Sequence, residues 1–540
     1  VKGAPAGTSA RQIAARLTWI TAPMPELDPA TRRLLALGAG GFILFERNIK
    51  SMRQVARLCS EVRDAAARPL RIAIDQEGGH VIRLAEPLTR MPSLMALGAA
   101  GSRALAFEVA RASALELAAL GIDTVFGPVL DLASEPESVV VGSRSFGSDP
   151  SLVAAMGAAM IDGYHAGGLL AVAKHFPGHG RTPLDSHLEL PYVAGSLRDL
   201  GALDLVPYRS AIAAQVDGIM TSHCVYPDID DRPATLSPAV VTGLARNTLE
   251  HRGLLITDGL AMDAIARRHG IAEAAVAALA AGVDAVMPLT REEETIEAIA
   301  AALENGALTG VDMSARLERA DALTTRLTAL RQVVYAPRPA VETGDAGAAH
   351  LALRVADESL TLVEGTPPRL ASSDEIVLLE LPFERASPVE DRSSSHSAAE
   401  ILAATFKRLR HVALDLNSVA HAAESCGDDV AHVIVITRDQ SRTAGLREVM
   451  AALAARHRLL HVALRSPHDL ALSAGLGATR VAAFSDTPPT LVALSDKLTG
   501  ARPWFGTLPV PAAWTERERA AEVIPAYVID SLAQPAKLGL

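Results

Sequence analysis

Through residue 335, short apolar runs rich in β-branched residues alternate with alanine-rich amphipathic stretches. The runs are "LTWIT" (17–21), "GFILF" (41–45), "RIAID" (71–75), "DTVFGPVLD" (123–131), "LLAVAK" (169–174), "GIMTSH" (218–223), "LLITD" (254–258) and "DAVMP" (284–288). Between them lie helix-patterned pieces such as "PSLVAAMGAAMIDGYHAG" and "EAAVAALAAG", the second ending in the glycine expected just past a helix C-terminus. Parallel strands buried on both faces read as near-continuous apolar runs, so these alternating units predict a TIM (β/α)8 barrel over residues 1–335. The stretch "YAPRPAVETGDAGAAH" (335–350) is rich in Pro, Gly and Ala and predicts an interdomain linker over 336–349. Beyond it "EIVLLEL", "HVALDL", "HVIVIT", "LLHVALRS" and "TRVAAFS" recur with helical segments between them. They predict a second α/β domain over 350–540 with a mostly parallel sheet and little obvious chemistry.

The length of 540 residues agrees with two domains, each long enough to fold alone. With 51 Lys and Arg against 62 Asp and Glu, the net charge is −11 and no long basic run occurs. That argues against nucleic acid or an anionic membrane as partner, because phosphate binding needs clustered cations, and in favour of a small molecule. No run of about 18 apolar residues predicts a transmembrane segment, and the N-terminus lacks the apolar core of a secretory signal, so the expected location is cytoplasmic. Cys59, Cys224 and Cys426 lie far apart without metal-ligand spacing and read as buried thiols.

Barrel sites form at the C-terminal ends of the strands, where loops vary without disturbing the packed interior. The polar strand endings collect there. Strand two runs into Glu46, Arg47 and Asn48; strand three ends at Asp75 and continues to Glu77 and Arg83. Strand four ends at Asp131, with Arg144 in the loop after it; strand six ends at His223 and strand seven at Asp258. Strand five ends in Lys174 and His175 and opens the loop "KHFPGHGRTPLDSH" (174–187), too broken by Pro and Gly for a helix or strand. A lone aspartate or histidine at such a place serves structure as readily as function; the set on one face points to a site. Long cationic donors mixed with carboxylate acceptors suit a polyhydroxylated ligand. A metal site from His175, His179, His187 and Asp185 is conceivable by ligand type, but these loop histidines lack the i, i+4 spacing of a helical zinc motif, and no metal is expected. No P-loop or dinucleotide fingerprint occurs, so no cofactor is expected.

At these residues the sequence resembles the family 3 glycoside hydrolases, specifically the NagZ-type β-N-acetylglucosaminidases. The matches are "GFILFERNI", "IDQEGGHVIR", "VFGPVLDL", "GSRSFG", "KHFPGHG" followed by "DSH", "MTSH" and "LLITDGLAM", in family order across the barrel. The second domain resembles, more weakly, the C-terminal α/β sandwich of two-domain members through "LTLV", "ALRSPHDL" and "GTLPV". The resemblance implies Asp258 as catalytic nucleophile and Asp185 with His187 as the dyad supplying the general acid/base. It further implies Asp75, Arg83, Arg144, Lys174 and His175 as residues that hold the non-reducing sugar, with His223 a neighbour. His80 stands where an arginine is common, Gly259 follows the nucleophile where relatives have Asp or Ala, and "RTP" (181–183) is unusual. These differences bear on loop geometry and aglycone preference.

The residue types suit that chemistry. A retaining glycosidase needs a carboxylate to attack the anomeric carbon and a second group to protonate the departing oxygen, then deprotonate water. A histidine with an unperturbed pKa of about 6.5 can do both, and a nearby aspartate orients the ring and favours its charged form. The implied activity is a cofactor-independent retaining exo-β-N-acetylglucosaminidase acting on peptidoglycan-derived muropeptides. Two rivals stand beside it. One is a phosphorylase, since a histidine left neutral after proton donation repels phosphate less than a carboxylate does; the other is a sugar-binding protein without turnover. The glycines and prolines of the 174–187 loop suggest a segment able to fold over substrate.

Overall fold

Each of the eight apolar runs contains a strand of one parallel sheet. The computed structural model describes residues 8–511 except 139, 309–312, 333, 335–344, 367, 382–386, 391–396, 414–425 and 428–429. The barrel strands are β1 Trp19–Ile20, β2 Gly41–Leu44, β3 Arg71–Ile74, β4 Thr124–Val125, β5 Leu170–Phe176, β6 Gly218–Thr221, β7 Leu254–Gly259 and β8 Ala285–Met287. They pair in sequence order. A parallel bridge from Thr18 to Val286, with the Val286 N–H donating to the Leu17 carbonyl at 2.8 Å, brings β8 back beside β1. The predicted fourth strand is shorter than its apolar run because Pro128 has no N–H to give; pairing stops at Val125 and returns only as a bridge from Val129 to Lys174.

Trp19, Ile43, Phe126, Val172, Met220 and Ile256 belong to one apolar cluster with Leu323, Leu327 and Leu330 of the helix Met313–Gln332. Leu323 lies beside Trp19, Arg71 and Leu254 at the strands' N-terminal ends, so this helix covers that end of the barrel. Three aspartates secure the same end. Asp123, Asp217 and Asp284 accept the N–H groups of Ile72, Ala171 and Leu255 at 2.7–2.9 Å, and each pairs with an arginine. They are structural carboxylates, which leaves the C-terminal ends of the strands for other work.

The second sheet contains β9 Thr361–Glu364, β10 Glu375–Glu380, β11 Arg408–Ala413, β12 His432–Thr437, β13 Arg458–Ala463 and β14 Thr479–Ala482, in the order β9-β14-β13-β12-β10-β11. Only β9 is antiparallel. Side chains alternate between two apolar layers: Ile376, Leu378, Ile434 and Ile436 enter one, and Val377, Leu379, Val433 and Val435 the other. Hence the runs read as continuously apolar although each residue faces one layer. The edge strand β11 starts three residues before its predicted run because half-exposed Arg408 and Arg410 still pair with β10. The short edge strand β9 carries no comparable apolar run.

Most of the predicted linker, residues 336–344, lies outside the described residues. Its last part is helical: Asp345 accepts the Gly347 N–H at 2.7 Å and caps the helix Ala346–Ser359. Ala348, Ala352 and Val355 of that helix, with Ala463, Leu470, Ala482 and Phe484, belong to the same apolar cluster as the barrel's helical layer. Backbone bonds cross as well, from Ser148 N–H to the Pro509 carbonyl at 3.0 Å and from Thr507 N–H to the Ala99 carbonyl at 3.1 Å. Cys59, Cys224 and Cys426 are buried, and among the described residues no helix is long and apolar enough to cross a membrane.

Buried Asp469 gives the second domain a stability signature. Burial, assisted by Asp439, raises its carboxyl to about 8. An acid whose pKa is raised on folding costs stability as pH climbs from about 4, where the unfolded chain ionises, to about 8. Asp469→Asn is therefore expected to melt above the parent near pH 8 and together with it near pH 4. Thermal melts across that range check this, and an equal offset at both ends would contradict it.

Candidate active site

At the C-terminal ends of the barrel strands a cavity of about 320 Å³ opens, at the small end of the range for ligand sites. Its polar lining includes Asp75, Arg83, Arg144, Lys174, His175, His187 and Asp258, and its apolar lining includes Phe126, Met220, Met262 and Met287. Asp75 follows β3, and the hairpin Gln76–Gly78 with Val81–Ile82 carries the chain on to Arg83. Arg144 ends a short 3₁₀ turn, Gly142–Arg144, while Lys174 and His175 lie within β5 and Asp258 within β7. The Lys174–His175 peptide is cis, and both side chains reach the cavity.

The cationic side is preorganised. The Arg144 guanidinium donates from Nε and Nη2 to the two oxygens of Glu77, both at 2.8 Å, and Lys174 Nζ lies 2.5 Å from Asp75 and 2.7 Å from Glu77. Burial opposes charge on Glu77, yet Arg144 and Lys174 overcome it and hold its carboxyl well below the ordinary carboxylate range. The same partners keep Arg144 and Lys174 protonated against burial. These groups lose little orientational freedom when a hydroxylated ligand arrives, because it is already lost.

Asp258 differs from them: its Oδ1 accepts the Gly259 N–H at 2.7 Å, and among the described residues no Lys or Arg forms an ion pair with it. Burial pushes its carboxyl up, but the fields of His175, His223 and His187, with that N–H, bring it down to about 2. It stands at the cavity as a carboxylate. His187 Nδ1 donates to Asp185 Oδ1 at 2.7 Å, which leaves Nε2 as the imidazole atom free for exchange at the cavity. The side chain of His187 keeps 24% of its surface exposed, whereas that of Asp185 keeps 4%. Asp185 is also held at about 2, burial being outweighed by its bonds with His187 and Ser387.

The loop from Lys174 to His187 is fastened along its length. A side chain at Gly180 would put its Cβ 1.6 Å from the Leu132 carbonyl oxygen, and Gly178, at φ +143°, lies against the Asp204 carboxylate. Arg181 pairs with Asp204 at 3.0 Å, Tyr226 donates to the Gly178 carbonyl, and His179 bonds Ser186 at 3.0 Å. These glycines serve close approach, and the loop is tied to the barrel at each of these points. His175 donates from Nδ1 to Asp131 at 2.6 Å, so His175, His179 and His187 have three different partners. Among the described residues no group of three or more His, Cys, Asp or Glu is arranged to hold a metal ion.

Residues 20–323 match the glycosyl hydrolase family 3 N terminal domain. The chain belongs to glycosyl hydrolase family 3. It is 42% identical over 266 residues to a beta-hexosaminidase of Tolumonas auensis, covering 48% of this chain and 79% of that protein. It is 40% identical over 272 residues to a beta-hexosaminidase of Pseudomonas aeruginosa, covering 49% and 78%. The structure of a glycoside hydrolase family 3 beta-N-acetylglucosaminidase from Paenibacillus sp. str. FPU-7 superposes with a TM-score of 0.85 at 33% identity, covering 94% of this chain and 99% of that one. The protein is thus a glycoside hydrolase with a carbohydrate substrate, and its barrel-plus-sandwich architecture is that of family 3.

Within this family 3 site, the sequence reading and the geometry diverge at three places. His223 lies behind the cavity: its ring bonds Thr235 at 2.9 Å and the Gly259 carbonyl at 3.0 Å, and burial lowers its pKa. It steadies the strand end that carries Asp258. Glu77, seen only as a polar residue after strand three, proves to organise both cations. The second domain, read as chemically quiet, sends Pro388, Val389 and Glu390 to the cavity wall and Ser387 to Asp185. In the sequence that segment, Ser387, Pro388, Val389 and Glu390, carries no motif.

Proposed function

We propose that this family 3 hydrolase is a retaining exo-β-N-acetylglucosaminidase that releases terminal, non-reducing β-linked N-acetylglucosamine, with muropeptides from peptidoglycan as its natural substrates. The observation that carries the reading is the pairing, on one small cavity, of the ionised Asp258 with the His187–Asp185 dyad. Asp258 attacks the anomeric carbon while His187 Nε2 protonates the departing oxygen; His187 then takes a proton from water, which cleaves the glycosyl ester. Asp75, Lys174, Arg144 and Arg83 are suited to the sugar hydroxyls, and a cavity of this size favours a single terminal ring. Glu390 also reaches the cavity, but its oxygens are engaged by Arg465 at 2.8 Å and the Ser387 N–H at 3.1 Å, which favours His187 as the proton carrier. The names of the relatives and of the Paenibacillus enzyme support the choice of sugar, and the NagZ-type motifs support the muropeptide.

The test is a substrate panel. Nitrophenyl N-acetyl-β-glucosaminide is expected to be cleaved far faster than the glucoside or xyloside, and a muropeptide bearing terminal N-acetylglucosamine is expected to lose it. In millimolar phosphate the main product should be free N-acetylglucosamine. Predominant sugar 1-phosphate would establish a phosphorylase instead, and no cleavage of any substrate would leave a binding protein.

A further inference from the structure

Ser387 belongs to the second domain, 202 positions from the residue it touches: its Oγ donates to Asp185 Oδ2 at 2.6 Å. The other oxygen of Asp185 takes the Nδ1–H of His187 at 2.7 Å and the His187 backbone N–H at 2.8 Å. The carboxylate is thus clamped between the two domains, and Ser387 is the clamp from the far side. Its own position is fixed from behind. The Ser387 N–H donates to Glu390 Oε1 at 3.1 Å, the Glu390 N–H returns to the Ser387 carbonyl at 3.2 Å, and Arg465 Nη1 holds Glu390 Oε2 at 2.8 Å. Arg465 is in turn bound by Asp486 at 2.9 Å, and all three charged groups are buried. Beside this turn the Val389 carbonyl accepts from Arg83 Nη1 at 2.8 Å, so the same four residues also touch the sugar-binding side.

From this geometry we infer that the second domain completes the acid/base unit, with Ser387 as a positioning residue that fixes the Asp185 carboxylate and through it the His187 ring. The inference rests on the reading of His187 as acid/base. Asp185 is almost wholly buried, and loss of the hydroxyl takes from Oδ2 the donor that holds it. The carboxylate is then free to turn, and the imidazole turns with it. Neither Asp258 nor the arginine and lysine clamp depends on this contact, so the damage falls on proton transfer and spares sugar binding.

Ser387→Ala in the full chain is expected to lower kcat/KM about tenfold on a natural disaccharide, whose leaving oxygen needs a proton. It should leave kcat/KM on the dinitrophenyl glycoside, whose leaving group needs none, within about twofold. Ser387→Thr keeps the hydroxyl and should restore most of the loss. In a His187→Ala background the Ser387→Ala change should cost nothing further, because the group it serves is gone. Equal losses on both substrates, an additive loss in that background, no recovery with threonine, or a loss that merely follows a lowered melting temperature would each overturn the inference. So would wild-type activity of Ser387→Ala alongside an impaired His187→Ala. If His187→Ala itself retains full activity on the disaccharide, the acid/base reading fails first and this inference with it.

Discussion

Asp258→Ala is expected to lose turnover by roughly 10⁴-fold or more while keeping the fold, since Asp75, Glu77 and Glu390 are already held by cations and are poor substitutes for it in forming the ester on which the two-step route depends. The carboxylate sits at the end of β7, on the loop side of the barrel, and accepts the Gly259 N–H. Its removal therefore opens no hole in the apolar interior, and circular dichroism and the melting profile should resemble the parent's. A slow fluorinated N-acetylglucosaminide should label the parent stoichiometrically, and peptide mapping should find the sugar on Asp258. Because the carboxyl is held at about 2, it stays ionised until the medium approaches that acidity. An acid limb of kcat/KM at pH 4 or above must then come from another group, and the labelling rate should not follow the ordinary carboxylate range of about 4. A label on Glu77, Asp75 or Glu390 would disprove the assignment.

His187→Ala should damage both halves of the reaction, by about 10²- to 10⁴-fold on a natural disaccharide. With a nitrophenyl substrate the two halves separate. Nitrophenolate leaves without protonation, so the glycosyl ester still forms, whereas water lacks a base to activate it. The variant should show a burst of nitrophenol, a slow steady state and a lowered apparent KM. Azide, a nucleophile that needs no base, should restore turnover and yield the β-glycosyl azide. Asp185→Asn should be milder, since the imidazole remains but loses the carboxylate that orients it. Full activity of His187→Ala on the disaccharide would send the search for the proton donor elsewhere.

The barrel was legible because its strands are buried on both sides and their apolar runs stand out from the alanine-rich helices. Where a run and its strand disagreed, the reason was local, as at Pro128, or lay at an edge, as in β11. The polar strand endings were legible too, but not their division of labour. Asp123, Asp217 and Asp284 look like Asp75 and Asp258 in the sequence, and only their position at the N-terminal end of the strands marks them as structural. His223 sits at the right end of the barrel, yet its ring is consumed by neighbours. Ser387 and Glu390 were out of reach for a different reason. Nothing in a four-residue turn records that it will meet a carboxylate 202 positions away; that contact exists only once the two domains have packed.

The apolar cluster that runs from the barrel's helical layer into the second domain has a consequence for descent. In a relative reduced to the barrel, the helices Leu94–Ala100 and Arg103–Ala119, against which the helix Ala346–Ser359 packs, would meet water along that flank. A chimaera that joins this barrel to a foreign sandwich should therefore keep its solubility only if the new domain also covers that seam.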